Sequence, residues 1–168
     1  QYDTKDSYLR SWGACSHVVV NGSILLDQTA ELDSLEFLGS VRKVAVNLDI
    51  RNALNLENLD GLEAISEVGG FVILTDNKAL TSLGTGLRNL RSVGGNLRIQ
   101  GNKRLVHLNG LSRLTSISGH LYVANNEQLE TFGSGFTNLS FVGSELRIWN
   151  NPALTDIGSL SKLLQVTG

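Results

Sequence analysis

The sequence is poor in the residues that build disulfide frameworks and thiolate metal sites. Its 168 residues include one cysteine, Cys15, and no methionine. A single thiol excludes an internal disulfide and a zinc site made from several thiolates. Charged residues make up 18% of the chain and the formal net charge is −2, which gives no whole-molecule attraction to nucleic acid or to an anionic membrane.

Long apolar runs are also lacking. A helix that crosses a bilayer needs roughly 18–20 consecutive apolar residues. The longest apolar stretch, residues 17–26, is broken by Asn21, Gly22 and Ser23. We therefore expect no membrane insertion by this segment. Hydrophobic residues still make up 41% of the chain, which suits a single domain with a sizeable core.

The start of the chain and its sequons favour an extracellular location. The first residue is Gln1, which fits a processed, secreted protein. Two Asn-x-Ser tripeptides begin at Asn21 and Asn138, and each is a candidate N-glycosylation site. We expect the protein to be secreted or displayed at a cell surface.

An alternating pair of apolar residues recurs through most of the chain. The first members of successive pairs are 24 or 25 residues apart. A regular period of this length is typical of solenoids. Six repeats, covering residues 24–168, contain the pairs Ile24/Leu26, Leu48/Ile50, Val72/Leu74, Leu97/Ile99, Leu121/Val123 and Leu146/Ile148.

Within each repeat, a spacing of two gives way to a spacing of three. Leu97 and Ile99 are followed by apolar residues at 105, 108, 111, 114 and 117. A spacing of two indicates a strand with one inward face. A spacing of three fits 3₁₀ turns or tight corners better than an α-helix. Each repeat is therefore predicted to be one coil of an all-β solenoid.

Two repeats carry one additional residue each, within Leu83–Leu87 and Phe132–Phe136. Glycines flank the insertion, and a bulge or turn there would absorb it before the next strand. Stacked strands lie about 4.8 Å apart, so six coils would form a prism roughly 29 Å long.

A row of asparagines follows the second apolar residue of four strands: Asn77, Asn102, Asn126 and Asn151. An inward asparagine at a corner can satisfy backbone groups that lack a ladder partner and can bond to the next coil. Thr29 and Ala53 occupy the position in the first repeats, so we expect the asparagine ladder to begin at the third coil. The alternative is a polar binding row.

The opening "CSHVVVNGSILL" and the recurring "GG-x-L-x-I-x-x-N-x-x-L" unit resemble the receptor L domain. This family is the leucine-rich right-handed β-helix of insulin-receptor and EGF-receptor ectodomains and of fungal GPI-anchored wall proteins. The resemblance covers nearly all of the chain after residue 14. It implies a right-handed solenoid and a module that binds ligands or partners. The family's opening cysteine usually forms a disulfide, for which Cys15 has no partner here.

The ends of a solenoid expose apolar cross-sections that need caps. We predict an N-terminal cap over residues 1–14 and the L-domain-like solenoid over residues 15–168. A short helix beginning at Asp6 or Ser7 would present Tyr8, Leu9 and Trp12 to the first coil. Cys15 is then either buried beside this helix as a small apolar residue or a reactive thiol. No obvious cap follows the last coil.

No catalytic constellation, cofactor motif or metal motif is found. Stacking places Ser82, His107, Thr131 and Asp156 in one column, but two coils, about 10 Å, would separate His107 from Asp156. That distance is too long for the hydrogen bond of a catalytic triad. On the strand faces, the carboxylates Asp49 and Glu145 lie four coils apart, which is too far for glycoside cleavage by a carboxylate pair. We predict no enzymatic activity.

The strand residues that flank each inward pair point outward and form three columns. An idle solvated face would carry Lys, Glu, Thr and Ser, whereas these columns contain aromatic residues and arginines, which are common interface anchors. The alternative is that stacking between coils or a terminal segment covers them. The predicted partner-binding residues are Phe71, Ile73, Arg98, His120, Tyr122, Arg147 and Trp149.

These observations predict a recognition module that binds a protein or glycan, and not nucleic acid, through its strand face. The first alternative is a rigid spacer in a cell wall or matrix. An ice-binding solenoid needs a regular array of small residues, which the column Thr81, Val106, Glu130 and Thr155 does not provide. A polysaccharide-active β-helix enzyme is a further alternative.

Overall fold

A computed structural model describes residues 17–29 and 31–168. Over these residues the chain forms a parallel β-solenoid of about six turns with no α-helix, which confirms the predicted all-β solenoid. The predicted N-terminal cap, its helix and Cys15 lie outside the described residues.

Two parallel sheets form two sides of the solenoid. The strands of the six-stranded sheet are β2 Ile24–Asp27, β4 Leu48–Arg51, β6 Val72–Thr75, β8 Leu97–Gln100, β10 Leu121–Ala124 and β12 Leu146–Trp149. Those of the seven-stranded sheet are β1 Val18–Val20, β3 Val41–Val44, β5 Glu67–Val68, β7 Ser92–Val93, β9 Ser116–Ile117, β11 Phe141–Val142 and β13 Gln165–Val166. The first sheet has the order β12-β10-β8-β6-β4-β2, and the second has the order β1-β3-β5-β7-β9-β11-β13.

In each coil, a segment connects the strand of the six-stranded sheet to the strand of the seven-stranded sheet. This segment contains the predicted spacing of three. Single parallel bridges join Ser82 to His107, His107 to Thr131 and Thr131 to Asp156. Three of these segments contain a short 3₁₀ turn, at Glu36–Leu38, Asn109–Leu111 and Gly158–Lys162. A 3₁₀ turn repeats every three residues, so it brings one apolar side chain inward per turn.

The core is a column of mainly aliphatic side chains enclosed by the coils, with Phe132 and Phe136 also fully buried. Leu48, Ile50, Leu97 and Ile99 have no exposed surface, as the alternating pattern requires. Fully burying one such side chain contributes about 1.5–3 kcal/mol. In the last coil the inward pair Leu146 and Ile148 is only half-buried.

The 25-residue repeats keep their strands in register. Leu97 pairs with both Val72 and Leu121, although the repeats on either side differ in length. The added residue is taken up before the next strand, where Gly84 has a φ of 56° and Gly133 a φ of 53°. This left-handed conformation favours glycine because it has no Cβ.

Four asparagines at one inner corner bond each coil to its neighbour. The Asn102 Oδ1 accepts the backbone N–H of Asn77 at 3.1 Å, and the Asn102 Nδ2 donates to the Leu74 carbonyl at 2.8 Å. Asn77, Asn102 and Asn126 are fully buried, and Asn151 at the end of the row is half-buried. Because the ladder of the six-stranded sheet ends at this corner, these amides satisfy backbone N–H groups that would otherwise lack partners.

Candidate functional site

The outward side chains of the six-stranded sheet form three columns, and together we call them the strand face. The register pairs Asp49 with Ile73, Ile73 with Arg98, Arg98 with Tyr122 and Tyr122 with Arg147. This is the column order expected from the sequence. Parallel strands about 4.8 Å apart hold the neighbouring side chains close enough for direct contact.

Tyr122 lies at the centre of a group that we call the Tyr122 cluster: Arg98, His120, Tyr122, Arg147 and Trp149. The His120 ring stacks on the Tyr122 ring with centroids 5.0 Å apart and planes inclined by 12°. The Trp149 ring meets Tyr122 edge-on at 5.9 Å. The guanidinium carbons of Arg98 and Arg147 lie 5.6 and 5.9 Å from the centre of the Tyr122 ring, in cation–π range.

Glu145 adds a carboxylate to this cluster. It accepts hydrogen bonds from the Tyr122 hydroxyl at 3.1 Å and from the Arg147 guanidinium at 2.8 Å. The hydrogen bond from Arg147 is the main reason that the pKa of Glu145 is lowered. Desolvation, followed by the bond to Glu145, raises the pKa of the Tyr122 hydroxyl.

The two arginines of the cluster differ in their charge balance. Arg147 pairs with Glu145, whereas Arg98 has no carboxylate partner among residues 17–29 and 31–168. The cluster therefore presents one unbalanced guanidinium that is held against an aromatic ring. Sequence reasoning did not assign Glu145 to the site, although its place two residues before Arg147 and one coil after His120 was a usable signal.

Side chains of the first outward column, to which Asn96, His120 and Glu145 belong, also accept hydrogen bonds from backbone N–H groups of the next coil. The Asn96 Oδ1 accepts the backbone N–H of His120 at 2.9 Å, and the His120 Nδ1 accepts that of Glu145 at 3.2 Å. An imidazole that accepts at Nδ1 carries its proton on Nε2 when neutral. His120 is therefore fixed by both stacking and hydrogen bonding.

The other two predicted binding residues, Phe71 and Ile73, lie on the coil that precedes the coil of Arg98. Phe71 is 44% exposed, and its ring packs across Gly95 of the next coil. A Cβ on Gly95 would lie 2.5 Å from the Phe71 Cδ1, so the ring can lie there only because residue 95 is glycine. Ile73 is half-buried and borders Arg98. The structure thus joins five of the predicted residues and leaves Phe71 outside their ring contacts.

A polar depression, which we call the corner groove, borders the strand face where the strands end. Its volume is about 430 Å³, and it is lined by Asp76, Gln100, Gly101, Lys103, Asn125, Glu127 and Asn150. The residue after each strand adopts a positive φ, for example 55° at Asn125 and 52° at Asn150. Sequence reasoning missed this groove. The signal was a column of turn-forming residues after each strand: Gln28, Asn52, Asp76, Gly101, Asn125 and Asn150.

In the column of Ser82, His107, Thr131 and Asp156, the serine, the threonine and the aspartate cap turns. The Ser82 Oγ accepts the N–H of Gly84 at 2.9 Å, and the Asp156 Oδ1 accepts that of Gly158 at 2.7 Å. Thr131 lies between His107 and Asp156 in the row of bridges, and its hydroxyl bonds to Asp156 at 3.3 Å. The spacing is the one that the sequence predicted, and it does not bring the imidazole to the carboxylate.

Both candidate glycosylation sites have exposed side chains. The Asn138 Nδ2 donates to the Ser112 carbonyl at 2.8 Å, and its Oδ1 accepts from Lys162 at 3.0 Å. A glycan on Asn138 would occupy the nitrogen that now donates to Ser112, whereas Asn21 lies at the turn between β1 and β2.

The described part of the chain contains no helix long and apolar enough to cross a membrane. Over residues 17–29 and 31–168, no three His, Cys, Asp or Glu side chains come together as a metal site. Comparisons with models of protein families, with curated proteins and with solved structures each returned no match.

Proposed function

We propose that this protein is a non-catalytic extracellular recognition module, built as a right-handed, leucine-rich β-helix of the receptor L domain type. In this proposal the strand face binds a protein or a glycan. The Tyr122 cluster is the observation that carries the proposal, since it combines aromatic rings, an unbalanced guanidinium and a rigid sheet.

The cluster is ordered before any ligand arrives. Each ring or guanidinium in it contacts Tyr122, and the backbone beneath is hydrogen-bonded to both neighbouring strands. Ordering a flexible side chain on binding costs about 0.5–1.5 kcal/mol, a cost that a preformed cluster largely avoids. Trp149 remains 39% exposed and offers an apolar contact on the same tyrosine that holds the Arg98 guanidinium.

The polar groups of the cluster fit binding better than proton transfer. Glu145 is held as an anion by Arg147 and Tyr122, and its pKa is lowered, which opposes a role as a general acid near neutral pH. The His120 Nδ1 already accepts the backbone N–H of Glu145. Both groups therefore stabilise the cluster itself.

A bait experiment tests the proposal. The intact domain and a variant with Arg98→Ala, Tyr122→Ala and Trp149→Ala are immobilised and offered the same extracellular protein and glycan fractions. A control variant with Arg91→Ala and Phe141→Ala removes a cation and a ring from the side of the seven-stranded sheet. The intact and control baits should recover a partner that the triple variant loses. Equal recovery by the triple variant would refute binding through the strand face.

A rigid wall or matrix spacer is the second candidate function. It is favoured by the continuous strand register and by the buried asparagine row, which together resist bending between coils. In a spacer the strand face has no ligand, so the triple variant would behave as the intact domain does in every assay. Glycans on Asn21 and Asn138 are part of either proposal, and mass spectrometry of the secreted protein tests for them.

A further inference from the structure

The dipeptide Asn-Gly occurs twice in the chain, once beginning at Asn21 and once at Asn109. In this dipeptide the backbone nitrogen of the glycine can attack the carboxamide carbon of the asparagine, because the glycine has no side chain to obstruct the approach. The reaction needs a backbone that can turn until the nitrogen and the carbon meet. The two copies differ in how firmly the solenoid holds that backbone.

The first copy lies at the turn between β1 and β2. Asn21 and Gly22 are both exposed, and a Cβ on Gly22 would meet no atom within 4 Å. The Gly22 carbonyl accepts the Val46 N–H at 3.1 Å, but this bond lies beyond the peptide that links Asn21 to Gly22. The reacting peptide is therefore at the surface, and the glycine has open space around it.

The Gly22 nitrogen differs from the nitrogens at the same corner of later coils. Gly70 donates its N–H to the Val46 carbonyl at 2.6 Å, Gly95 donates to Gly70 at 2.8 Å, and Gly119 donates to Gly95 at 2.9 Å. Each of these bonds ties the nitrogen to the preceding coil. Gly22 follows β1, the terminal strand of its sheet, and its N–H has no backbone acceptor among residues 17–29 and 31–168.

The second copy is held by the coils on both sides. Asn109 begins the 3₁₀ turn Asn109–Leu111, and its Oδ1 accepts the Ser134 N–H of the next coil at 2.9 Å. Gly110 is buried, and a Cβ on it would lie 2.9 Å from the Leu83 Cβ of the preceding coil. To bring its carboxamide to the Gly110 nitrogen, Asn109 would have to break its bond to Ser134 and distort the turn.

We infer that Asn21 is a site of spontaneous deamidation through a succinimide, whereas the fold protects Asn109. The Gly22 nitrogen forms a bond to the Asn21 Cγ, and the carboxamide nitrogen leaves as ammonia with the proton that the Gly22 nitrogen gives up. Water then opens the ring, adding its oxygen to a carbonyl carbon and returning a proton to the Gly22 nitrogen. Opening at Cγ gives aspartate, and opening at the backbone carbonyl carbon gives isoaspartate.

Either product changes the first coil. A carboxylate replaces a neutral amide, so the chain gains a negative charge and the sequon at Asn21 loses its acceptor nitrogen. Isoaspartate also adds a methylene group to the main chain just before Ser23, whose Oγ accepts the Asn47 N–H at 3.2 Å. Because a glycan would use the same carboxamide nitrogen, the inference concerns chains without a glycan on Asn21.

The test follows both sites in one sample. The protein is made in a host that adds no N-glycans, held near neutral pH and digested with trypsin at successive times. Cleavage after arginine gives the peptides 11–42 and 105–113, each of which contains a single asparagine. Aspartate and isoaspartate forms are separated by chromatography and identified by mass. Conversion should be about tenfold or more faster at Asn21 than at Asn109, because reaction at Asn109 requires local opening of the fold.

Two controls separate the fold from the dipeptide. In urea both sites should react at similar rates, since neither is then held by the solenoid. Gly22→Ala, which the open space around Gly22 accommodates, should slow the reaction at Asn21 and leave that at Asn109 unchanged, with thermal unfolding to show that the fold is retained.

The inference is overturned if Asn109 converts as fast as Asn21 in the folded protein, or if Asn21 stays intact over the time in which both sites convert in urea. An unchanged rate in the Gly22→Ala variant would show that the Gly22 nitrogen is not the nucleophile. Aspartate without isoaspartate would also overturn the inference, because direct hydrolysis gives only aspartate and the succinimide gives both.

Discussion

Replacing Asn102 with alanine tests the asparagine row where it is most deeply buried. The substitution removes an acceptor from the backbone N–H of Asn77 and a donor from the Leu74 carbonyl. It also removes one of two acceptors of the Asn77 Nδ2, which keeps its bond to the Ile50 carbonyl. Asn77 and Leu74 have no exposed surface, so water cannot replace the lost partners without opening the corner.

The expected cost comes mainly from the Asn77 N–H, because the parallel register of Leu74 with Ile99 leaves the Leu74 carbonyl its ladder hydrogen bond to β8. Leaving one buried polar group unsatisfied costs about 1–3 kcal/mol. With one such group, the expected cost of Asn102→Ala is about 1–3 kcal/mol. The total stability of a single domain is about 5–15 kcal/mol, so the loss is a large fraction of it.

Urea unfolding followed by circular dichroism measures this change as a shift in midpoint at constant slope. Asn151→Ala is the matched control, because Asn151 makes the same bonds to Asn126 and Val123 but is half-buried. Its cost should be less than half that of Asn102→Ala, since water can reach the exposed side. Equal costs at the two positions, or a cost below about 1 kcal/mol at Asn102, would refute the burial argument.

Three further predictions concern the same coils. Gly95→Ala should destabilise the fold by about 1–3 kcal/mol through overpacking, and by less in a Phe71→Ala background, which a double-mutant cycle of urea unfolding measures. Arg147→Ala should raise the pKa of Glu145 toward its ordinary value, because the hydrogen bond that lowers it is lost; carbon-detected NMR titration would show no change if Arg147 were not the cause. Asn102→Asp places a carboxyl group where burial raises its pKa in the folded state. The free energy of unfolding of this variant should therefore be least reduced below the unfolded-state pKa of about 3.9 and should fall as the pH rises above that value. Unfolding midpoints that run parallel to those of the wild type from pH 3 to pH 7 would contradict this.

The fold was predictable because packing decides it locally. A strand with alternating inward residues, such as Leu97 and Ile99, can bury them in only one phase, and a slip of one residue would expose both. The repeat length then fixes which residues meet on adjacent coils. This is why the column order of Arg98, Tyr122 and Arg147 follows from the sequence before any side chain is placed.

The finer features of the site were not predictable in this way. Whether Phe71 joins the cluster or packs on Gly95 depends on a rotamer, and the rotamer depends on space in the next coil. The hydrogen bond from the Glu145 backbone N–H to the His120 ring likewise depends on the ring orientation that stacking on Tyr122 imposes. The corner groove arises from backbone with positive φ at Asn125 and Asn150, where a pattern of inward and outward residues carries no information.

The fixed register of the six-stranded sheet sets the distances between side chains on the strand face. Arg98 and Arg147 lie on the strands on either side of Tyr122, two strand spacings or about 10 Å apart. No side-chain substitution can alter that pitch, because the backbone hydrogen bonds set it. Exchanging two residues that lie 24 or 25 positions apart in the sequence therefore changes the order of the side chains along the column and leaves their spacing unchanged. To fit a ligand whose charges have another spacing, a coil would have to be added or removed. A ligand whose groups have the same spacing in another order would require only an exchange of residues between strands.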